Sequence, residues 1–330
     1  MRLPNLKWKT LLASIVSITA FIIAINFIIH LFGSLPREKL LSSISNINIR
    51  SAIFSVSFTM LSYFLLTVYD AMAIRALGKT VPYRTVAAAS FTNYALIHNF
   101  GFPLLTGAVA RYRFYSVAGL SNSDIARVIA FTMLTFWLGV ILLVGLALSS
   151  GGGEAALSYI PAVAQKSVGA LILFLIFIYV VCCFSTKSSF SIGGGTFRLP
   201  QGGISVAQFA LAAADMMAAA AAFFTLVPSA QIGMFWAFLA SYVLAMGASL
   251  LSNAPGGLGI FEAVMLLTLP TIDRTTLLSA LIAYRVIYYL APLAMSAIVL
   301  LYHEFVTAPK HRSGLGASPI RSARTSLPSV

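Results

Sequence analysis

Charged residues are scarce in this chain, and acidic residues are the scarcest of them. Only 9% of its 330 residues are charged, with 8 Asp and Glu against 21 Lys and Arg, whereas 59% are hydrophobic. A water-soluble domain carries far more charge than this. The composition therefore excludes a soluble globular protein and predicts a helical integral membrane protein.

Cysteine and the sequence signatures of common enzymes are also nearly missing. Cys182 and Cys183 are adjacent in a predicted span, where neighbouring residues point to different helix faces, which argues against a disulfide or a metal pair. His30 and His98 are isolated polar positions in apolar segments. The chain has no P-loop, dinucleotide fingerprint or nucleophile elbow. We expect no cofactor, no metal and no enzymatic activity; an intramembrane transferase acting on lipid-linked sugar would lack a recognisable nucleophile.

The basic residues give a net charge of +13, but they stand at the ends of apolar segments. This pattern is typical of membrane topology signals and not of nucleic-acid binding. A transmembrane domain is predicted at residues 1–308, followed by a basic segment at 309–330. That segment has almost no apolar content to bury, so we expect a disordered cytoplasmic tail that lies on anionic lipid headgroups.

Seven segments are long and apolar enough to cross a bilayer: residues 10–32, 51–73, 126–148, 168–184, 204–226, 234–251 and 277–303. The first is too long for a signal peptide, so we expect a retained span. Two interrupted segments, 85–110 and 253–270, either cross or re-enter. If 85–110 returns and 253–270 crosses, 15 basic residues share the side of the N-terminus and 5 lie opposite; the reverse choice gives 11 and 9. The positive-inside rule favours the first arrangement, with about eight crossings and both termini in the cytoplasm.

Both interrupted segments combine proline and glycine with polar residues. The run Asn253-Ala-Pro-Gly-Gly-Leu-Gly-Ile-Phe-Glu262 breaks a helix, because proline lacks a backbone donor and glycine weakens the helix. Broken backbone at membrane depth is tolerated only inside protein or beside a polar cavity. The pattern Asn93-Tyr94…Pro103-x-x-x-Gly107 resembles Ser241-Tyr242…Pro255-x-x-x-Gly259. We therefore expect two broken or re-entrant segments, related by an inverted repeat, around a midplane site.

Three carboxylates fall in or near predicted spans, where burying an unpaired charge costs roughly a few kcal/mol. Asp215 lies mid-span, and a structural hydrogen bond between helices is the alternative to a functional role. Asp70 lies near the cytoplasmic end of its span, where solvation at the interface explains it equally well. Glu262 borders the second break, which favours a role in function.

Arginines are the complementary candidates. Arg111 and Arg113 follow the first break and either hold a phosphate in bidentate fashion or anchor the helix at the interface. Arg285 lies inside the last predicted span and needs a counter-charge, either one of the carboxylates above or a substrate phosphate. Tyr288 shares its helix face.

Four motifs resemble those of a known family: Tyr94…Asn99-Phe-Gly-Phe, Gly107-Ala-Val-Ala-Arg-Tyr-Arg-Phe-Tyr-Ser-x-Ala-Gly-Leu-Ser121, Pro255-Gly-Gly-Leu-Gly-Ile-Phe-Glu262 and Tyr284-Arg-Val-Ile-Tyr-Tyr-Leu-Ala-Pro292. Over residues 10–305 they resemble the flippase-type membrane domain of lysylphosphatidylglycerol synthases, also called multiple peptide resistance factors. The resemblance implies movement of an aminoacyl-phosphatidylglycerol-like lipid between leaflets of a bacterial inner membrane. No synthase domain follows in this sequence, so we expect no aminoacyl transfer.

These observations predict a phospholipid translocator with a polar cavity at the two breaks, where arginines meet phosphate and carboxylates meet any cationic group. The alternative is an accessory or scaffold membrane protein for an envelope-lipid enzyme, in which the charged side chains are satisfied separately. The expected substrate-binding residues are Asp70, Arg111, Arg113, Asp215, Glu262, Arg285 and Tyr288. The expected broken-helix backbone comprises Asn99, Gly101, Pro103, Gly107, Asn253, Pro255, Gly256, Gly257 and Gly259.

Glu262 and Arg285 allow the sharpest sequence-based expectation. The break beside Glu262 has no structural purpose that the sequence reveals. We therefore expect each single alanine substitution to leave the protein folded but abolish transport, without rescue in the double variant.

Overall fold

The protein is an all-α, polytopic integral membrane protein. Its architecture is given by a computed structural model, which describes residues 47–101, 103–151, 160–185, 189–192, 195–198, 202–228, 230–252 and 255–302, together with Glu38 and Ser45. The predicted first span at 10–32, the tail at 309–330 and Asn253 lie outside the described residues.

The described part of the chain contains ten α-helices: α1 (Ile49–Ala76), α2 (Tyr83–Phe100), α3 (Pro103–Val117), α4 (Asn122–Ser149), α5 (Ala162–Phe184), α6 (Gly202–Phe224), α7 (Phe235–Ser252), α8 (Ile260–Thr268), α9 (Arg274–Tyr284) and α10 (Ala291–Tyr302). Short 3-10 turns occupy Ile232–Met234 and Pro255–Gly257, and a π-helical segment occupies Arg285–Leu290. Strands β1 (Ser189–Ile192) and β2 (Gly195–Arg198) form a small antiparallel hairpin between α5 and α6.

Six helices in the described part of the chain are long and apolar enough to cross a membrane: Ile49–Ala76, Asn122–Ser149, Ala162–Phe184, Gly202–Phe224, Ile232–Ser252 and Arg274–Tyr302. They coincide with six of the seven predicted spans. Local capping sets some of their starts: Ser121 and Asp124 form a capping box at α4, and Asp273 accepts from the backbone nitrogen of Thr276 at α9.

The two interrupted segments form helical hairpins. In the first, α2 ends at Phe100, Gly101 adopts a φ of 68°, and α3 runs back along α2. In the second, positive φ angles at Gly256, Gly257 and Gly259 turn the chain, and α8 runs back along α7. The nine residues of α8 span only about 13 Å, too short to cross a bilayer. The expectation that 253–270 crosses is therefore wrong, because the glycines reverse the chain.

The hairpins enter the bundle from opposite ends. Helix α9, the π-helical segment and α10 form one continuous span, Arg274–Tyr302. The base of the first hairpin lies near the end of that span, where Phe114 and Leu120 share an apolar cluster with Val299 and Leu300. The base of the second hairpin joins the start of the span through a five-residue turn at 269–273. This opposite placement agrees with the expected inverted repeat.

Pro292 shapes the middle of the last span. A proline has no N–H for the carbonyl four residues earlier, which belongs to Tyr288, and its ring clashes with that carbonyl. The helix widens into the π-helical segment just before this proline. The Tyr63 hydroxyl, on α1, donates to the Tyr288 carbonyl oxygen over 3.1 Å. The lost helical hydrogen bond is thus replaced from another helix.

Helix α6 is central because its small side chains let neighbouring helices approach closely. Ala212, Ala220 and Ala222 are fully buried, and α1 and α4 pack along α6. At Gly139 of α4 even one added carbon would collide with Ala212. Close backbone approach of this kind holds helices together in membranes. It brings Asp215 of α6 within hydrogen-bonding distance of α1.

Candidate functional site

A cavity of about 130 Å³ lies where the tips of the two hairpins meet. This is room for about four water molecules. Its wall combines Gly101 of the first break with Gly256 and Gly257 of the second. The polar and aromatic lining comprises Arg111, Asp215, Thr132, Ser249, His98, Tyr69, Tyr94, Tyr242, Tyr288, Tyr289, Phe136 and Trp137.

The cavity lies near the middle of the spans that surround it. Tyr288 stands at the midpoint of the 29-residue span Arg274–Tyr302. Asp215 and Ser62 stand near the midpoints of α6 and α1, which have 23 and 28 residues. These three helices are long and apolar enough to cross a membrane, and the midpoint of such a helix corresponds to the depth of the bilayer centre.

Hydroxyl groups surround Asp215. The Ser62 hydroxyl donates to Asp215 Oδ1 over 2.6 Å, and the Tyr69 hydroxyl is 3.4 Å from Oδ2. Ser62 Oγ lies 2.8 Å from the Tyr288 hydroxyl. The carboxylate is 6% exposed and faces the cavity. Its hydrogen-bond partners are therefore neutral groups on α1, and the network continues to the last span.

Asp70 is held differently, by a buried arginine. Arg111 donates from Nε to Asp70 Oδ2 over 2.9 Å and from Nη2 to Oδ1 over 2.6 Å. The Tyr115 hydroxyl donates to Oδ2 over 2.6 Å, and Thr132 Oγ1 and the Tyr94 hydroxyl lie 3.3 and 3.4 Å from Arg111 Nη2. This bidentate pair ties the returning helix of the first hairpin to α1. Asp70 itself does not line the cavity, whereas Arg111 does.

Glu262 and Arg285 form a second buried pair that secures the second break. Arg285 donates from Nη2 and Nε to Glu262 Oε1 over 2.7 and 3.1 Å, and Gly259 N donates to Oε2 over 2.7 Å. Arg285 Nη1 also donates to the carbonyl oxygen of Gly256, and the guanidinium lies 4.4 Å from the centre of the Tyr289 ring. The break beside Glu262 therefore has a structural purpose, and the sequence-based premise that it lacks one is wrong.

The two hairpin tips touch each other directly. A Cβ added to Gly256 would lie 3.1 Å from the carbonyl oxygen of Asn99 and 3.4 Å from that of His98. The Asn99 side chain donates to the carbonyl oxygens of Ala95 and Tyr289, over 2.8 and 3.0 Å. The broken backbone is thus bound to the middle of the last span from both sides.

Sequence reasoning missed part of the site, above all the residues of α1. Ser62, Tyr63 and Tyr69 sit in an unbroken apolar helix, and hydroxyl residues there give no signal of their own. The sequence presents His98 as an isolated polar position, yet its Nδ1 lies 3.2 Å from the Tyr63 hydroxyl and its ring lines the cavity. Its place directly before the Asn99 motif is the signal that could have identified it.

The structure brings only part of the predicted set to one cavity. Arg111, Asp215 and Tyr288 line it, together with Gly101, Gly256 and Gly257. Asp70 and Arg285 stand behind the wall, in contact with Arg111 and Gly256 of the lining, and Glu262 stands behind Arg285. The exposed side chain of Arg113 lies on α3 and is not part of the lining. Asn99 and Gly259 hold the breaks in place. Pro103, Gly107 and Pro255 are described by their backbone positions in α3 and the second break.

Comparison with known proteins supplies relatives over nearly the whole chain, although no established protein-family profile matches it. The inner membrane protein YbhN of Escherichia coli is 28% identical over 303 residues, which cover 90% of this chain and 94% of YbhN. The uncharacterized protein slr0712 of Synechocystis sp. is 32% identical over 292 residues, which cover 88% of this chain and 89% of that protein. The chain therefore belongs to the same family as slr0712.

Proposed function

We propose that the protein moves a phospholipid headgroup through the membrane, from one leaflet to the other, in a bacterial inner membrane. The headgroup enters the midplane cavity between the two hairpin tips, and the acyl chains stay in the surrounding lipid. The resemblance to flippase-type domains supports the translocation, and the name of YbhN, an inner membrane protein, supports the location in the inner membrane.

The observation that carries the proposal is Asp215, a carboxylate at mid-membrane depth that faces a cavity and has only hydroxyl partners among the described residues. Leaving such a charge without a cation costs roughly 3 kcal/mol. A cationic headgroup that enters the cavity neutralises it, and the five tyrosines of the wall offer ring faces to the same cation. An aminoacylated or ethanolamine headgroup has this chemistry.

Arg111 supplies the complementary charge in the same wall. Its guanidinium is bound to Asp70 through Nε and Nη2 and is 2% exposed, yet it borders the cavity. In the proposed mechanism the headgroup phosphate lies toward Arg111 and the cationic group toward Asp215. The hydration that the headgroup gives up is thereby replaced by groups that the fold already holds in place.

A scaffold for an envelope-lipid enzyme is the second candidate, because two of the three intramembrane carboxylates are satisfied within the chain. Asp70 pairs with Arg111 and Glu262 with Arg285, as in a protein that transports nothing. The position of Asp215 favours transport. The two candidates differ in one measurable property, which is whether the purified protein alone changes the leaflet distribution of a lipid.

The test is reconstitution of the purified protein in vesicles of phosphatidylglycerol and phosphatidylethanolamine. Short-chain lipids with a fluorescent label on the acyl chain report the outer-leaflet fraction by extraction with albumin. We expect the labelled lipid to exchange between the leaflets faster than in protein-free vesicles. Asp215→Asn should lower the exchange rate about tenfold or more, which corresponds to the free energy of one hydrogen bond to a charged group. Asp273→Asn is the matched control, since asparagine caps a helix as well as aspartate. Unchanged leaflet distribution across phosphatidylglycerol, phosphatidylethanolamine and lysylphosphatidylglycerol would exclude the translocator.

A further inference from the structure

We infer that Asp215 is a proton-exchange site, at which a proton and the cationic group of a lipid headgroup take turns in neutralising the carboxylate. The inference rests on the proposed function and adds its coupling ion. Transport would then exchange one proton for one cationic headgroup across the membrane.

The three intramembrane carboxylates differ in their partners. Asp70 and Glu262 are each held by an arginine, whose polar groups are all donors. Glu262 also accepts from a backbone N–H, and Asp70 also accepts from the Tyr115 hydroxyl. The oxygens of Asp215 instead meet only the hydroxyls of Ser62 and Tyr69 among the described residues. Asp215 is thus the one of these three carboxylates that has no cationic partner in the described part of the chain.

A hydroxyl donates to a carboxylate and accepts from a carboxylic acid. The Ser62 hydroxyl lies between Asp215 Oδ1 and the Tyr288 hydroxyl, at 2.6 and 2.8 Å, so the chain of donors can reverse without moving a heavy atom. The Tyr69 hydroxyl, 3.4 Å from Oδ2, can accept the carboxyl proton in the same way. The network therefore fits both the ionised and the protonated carboxyl group.

Protons also need water beside Asp215, and the cavity has room for it. Asp215 faces a space for about four water molecules at the depth where the hairpin tips meet. Between one headgroup and the next, a proton from this water neutralises the carboxylate. A cationic headgroup in the cavity does the same, so each excludes the other.

Other ionisable groups face the same region and must be separated from Asp215 in any test. All but one of these groups on α1, α2, α7, α9 and the π-helical segment are tyrosines, and the exception is a histidine of α2. They are Tyr63, Tyr69, Tyr94, His98, Tyr242, Tyr284, Tyr288 and Tyr289. Arg111 of α3 is bound to Asp70. The α4 residues that line the cavity are not ionisable: Ile129, Thr132, Met133, Phe136 and Trp137. Tyr179 of α5 packs on Phe209, nearly two helical turns before Asp215. Histidine is the side chain whose unperturbed pKa lies closest to neutral pH, so His98 needs its own variant.

The experiment uses the same vesicles with a pH difference across the membrane and the potential clamped by potassium and valinomycin. The probe is acyl-labelled phosphatidylethanolamine, whose ammonium group is the cation in question, and acyl-labelled phosphatidylglycerol is the anionic comparison. One-for-one exchange makes the ethanolamine probe accumulate in the leaflet on the acidic side. At steady state the ratio of probe between the two leaflets should change about tenfold per pH unit. An internal pH dye should record proton movement in the opposite direction to the probe.

Variants then assign the effect to one carboxyl group. We expect Asp215→Asn to remove both the pH-driven accumulation and the proton movement, and Asp215→Glu to retain part of each. His98→Asn should slow exchange of the probe but leave its steady-state ratio between the leaflets dependent on the pH difference, because that ratio reports the coupling and not the rate.

Several outcomes would overturn the inference. If the ethanolamine probe distributes evenly at every pH difference while still exchanging faster than in protein-free vesicles, the inference is wrong and the translocator stands. The inference is equally wrong if phosphatidylglycerol alone exchanges, or if His98→Asn rather than Asp215→Asn abolishes coupling. Failure of every lipid to exchange would remove both proposals together.

Discussion

The hydroxyl of Tyr63 donates to the carbonyl oxygen of Tyr288, the acceptor that Pro292 deprives of its helical donor. The hydrogen bond that the last span loses at Pro292 is thereby replaced by one from α1. The same helix supplies the Ser62 hydroxyl that donates to Asp215. The link couples the shape of the last span to the network around the cavity.

This relationship predicts a measurable coupling between two positions far apart in sequence. Tyr63→Phe leaves a buried carbonyl without its donor, which costs about 1–3 kcal/mol in the free energy of unfolding. In a Pro292→Ala background the alanine supplies the helical N–H, so the same Tyr63→Phe change should cost much less. Thermal unfolding in detergent, followed with a thiol-reactive dye, measures both steps because Cys183 is buried in the folded protein. Equal costs in the two backgrounds would show that the carbonyl does not depend on Tyr63.

The Asp70–Arg111 pair should dominate the stability of the first hairpin. Both side chains are almost completely buried, so Arg111→Ala leaves an unpaired buried carboxylate and lowers the free energy of unfolding by roughly 3–5 kcal/mol. Arg111→Lys should rescue little, because lysine cannot make the bidentate contact. Arg113→Ala, two residues along α3 and on its exposed side, is the matched control and should change little. Comparable losses in the two alanine variants would contradict the assigned role.

For Glu262 and Arg285 the structure reverses the expectation drawn from sequence. The pair holds the second break through Gly256 and Gly259 and stands behind the cavity wall. We expect Glu262→Ala and Arg285→Ala each to lower the amount of folded protein in the membrane, by the roughly 3–5 kcal/mol of an uncompensated buried charge. The double variant should recover part of this loss. Normal abundance with abolished transport in both single variants, and no rescue in the double, would restore a direct role in substrate binding.

Gly256 provides a test of the contact between the hairpin tips. Its φ of 61° costs about 1–2 kcal/mol for a residue with a side chain, and the added carbon would press on the Asn99 carbonyl at 3.1 Å. Gly256→Ala should therefore destabilise the protein and slow lipid exchange. Gly247→Ala is the matched control: this glycine lies within α7 with no neighbour in reach of a Cβ, so alanine should be neutral or stabilise the helix by about 0.5–1 kcal/mol. Similar unfolding temperatures for both variants would argue against a close contact at the tips.

Much of the fold is predictable because each signal is local. The bilayer demands about twenty apolar residues per span, so the sequence predicts the six helices that are long and apolar enough to cross. Proline and glycine weaken a helix, and where they cluster with polar residues the sequence predicts both breaks, near Gly101 and Gly256. The depth of the second segment is not predictable in this way. Its hydrophobicity suits a crossing, and only the reversal at three positive-φ glycines shows that it returns.

By itself the sequence determined the class of protein, the position of its spans and the identity of its few intramembrane charges. It could do so because a charged side chain in lipid is energetically costly, so the few that occur stand out from the apolar spans. Tertiary structure alone decided which charge meets which. Arg285 pairs with Glu262 and Arg111 with Asp70, because the hairpins bring those residues within 2.7 and 2.6 Å of each other. Asp215 faces the cavity with hydroxyls from an unbroken helix. The interacting residues lie 23 to 153 positions apart in the sequence. No local sequence pattern encodes how close in space such distant positions come.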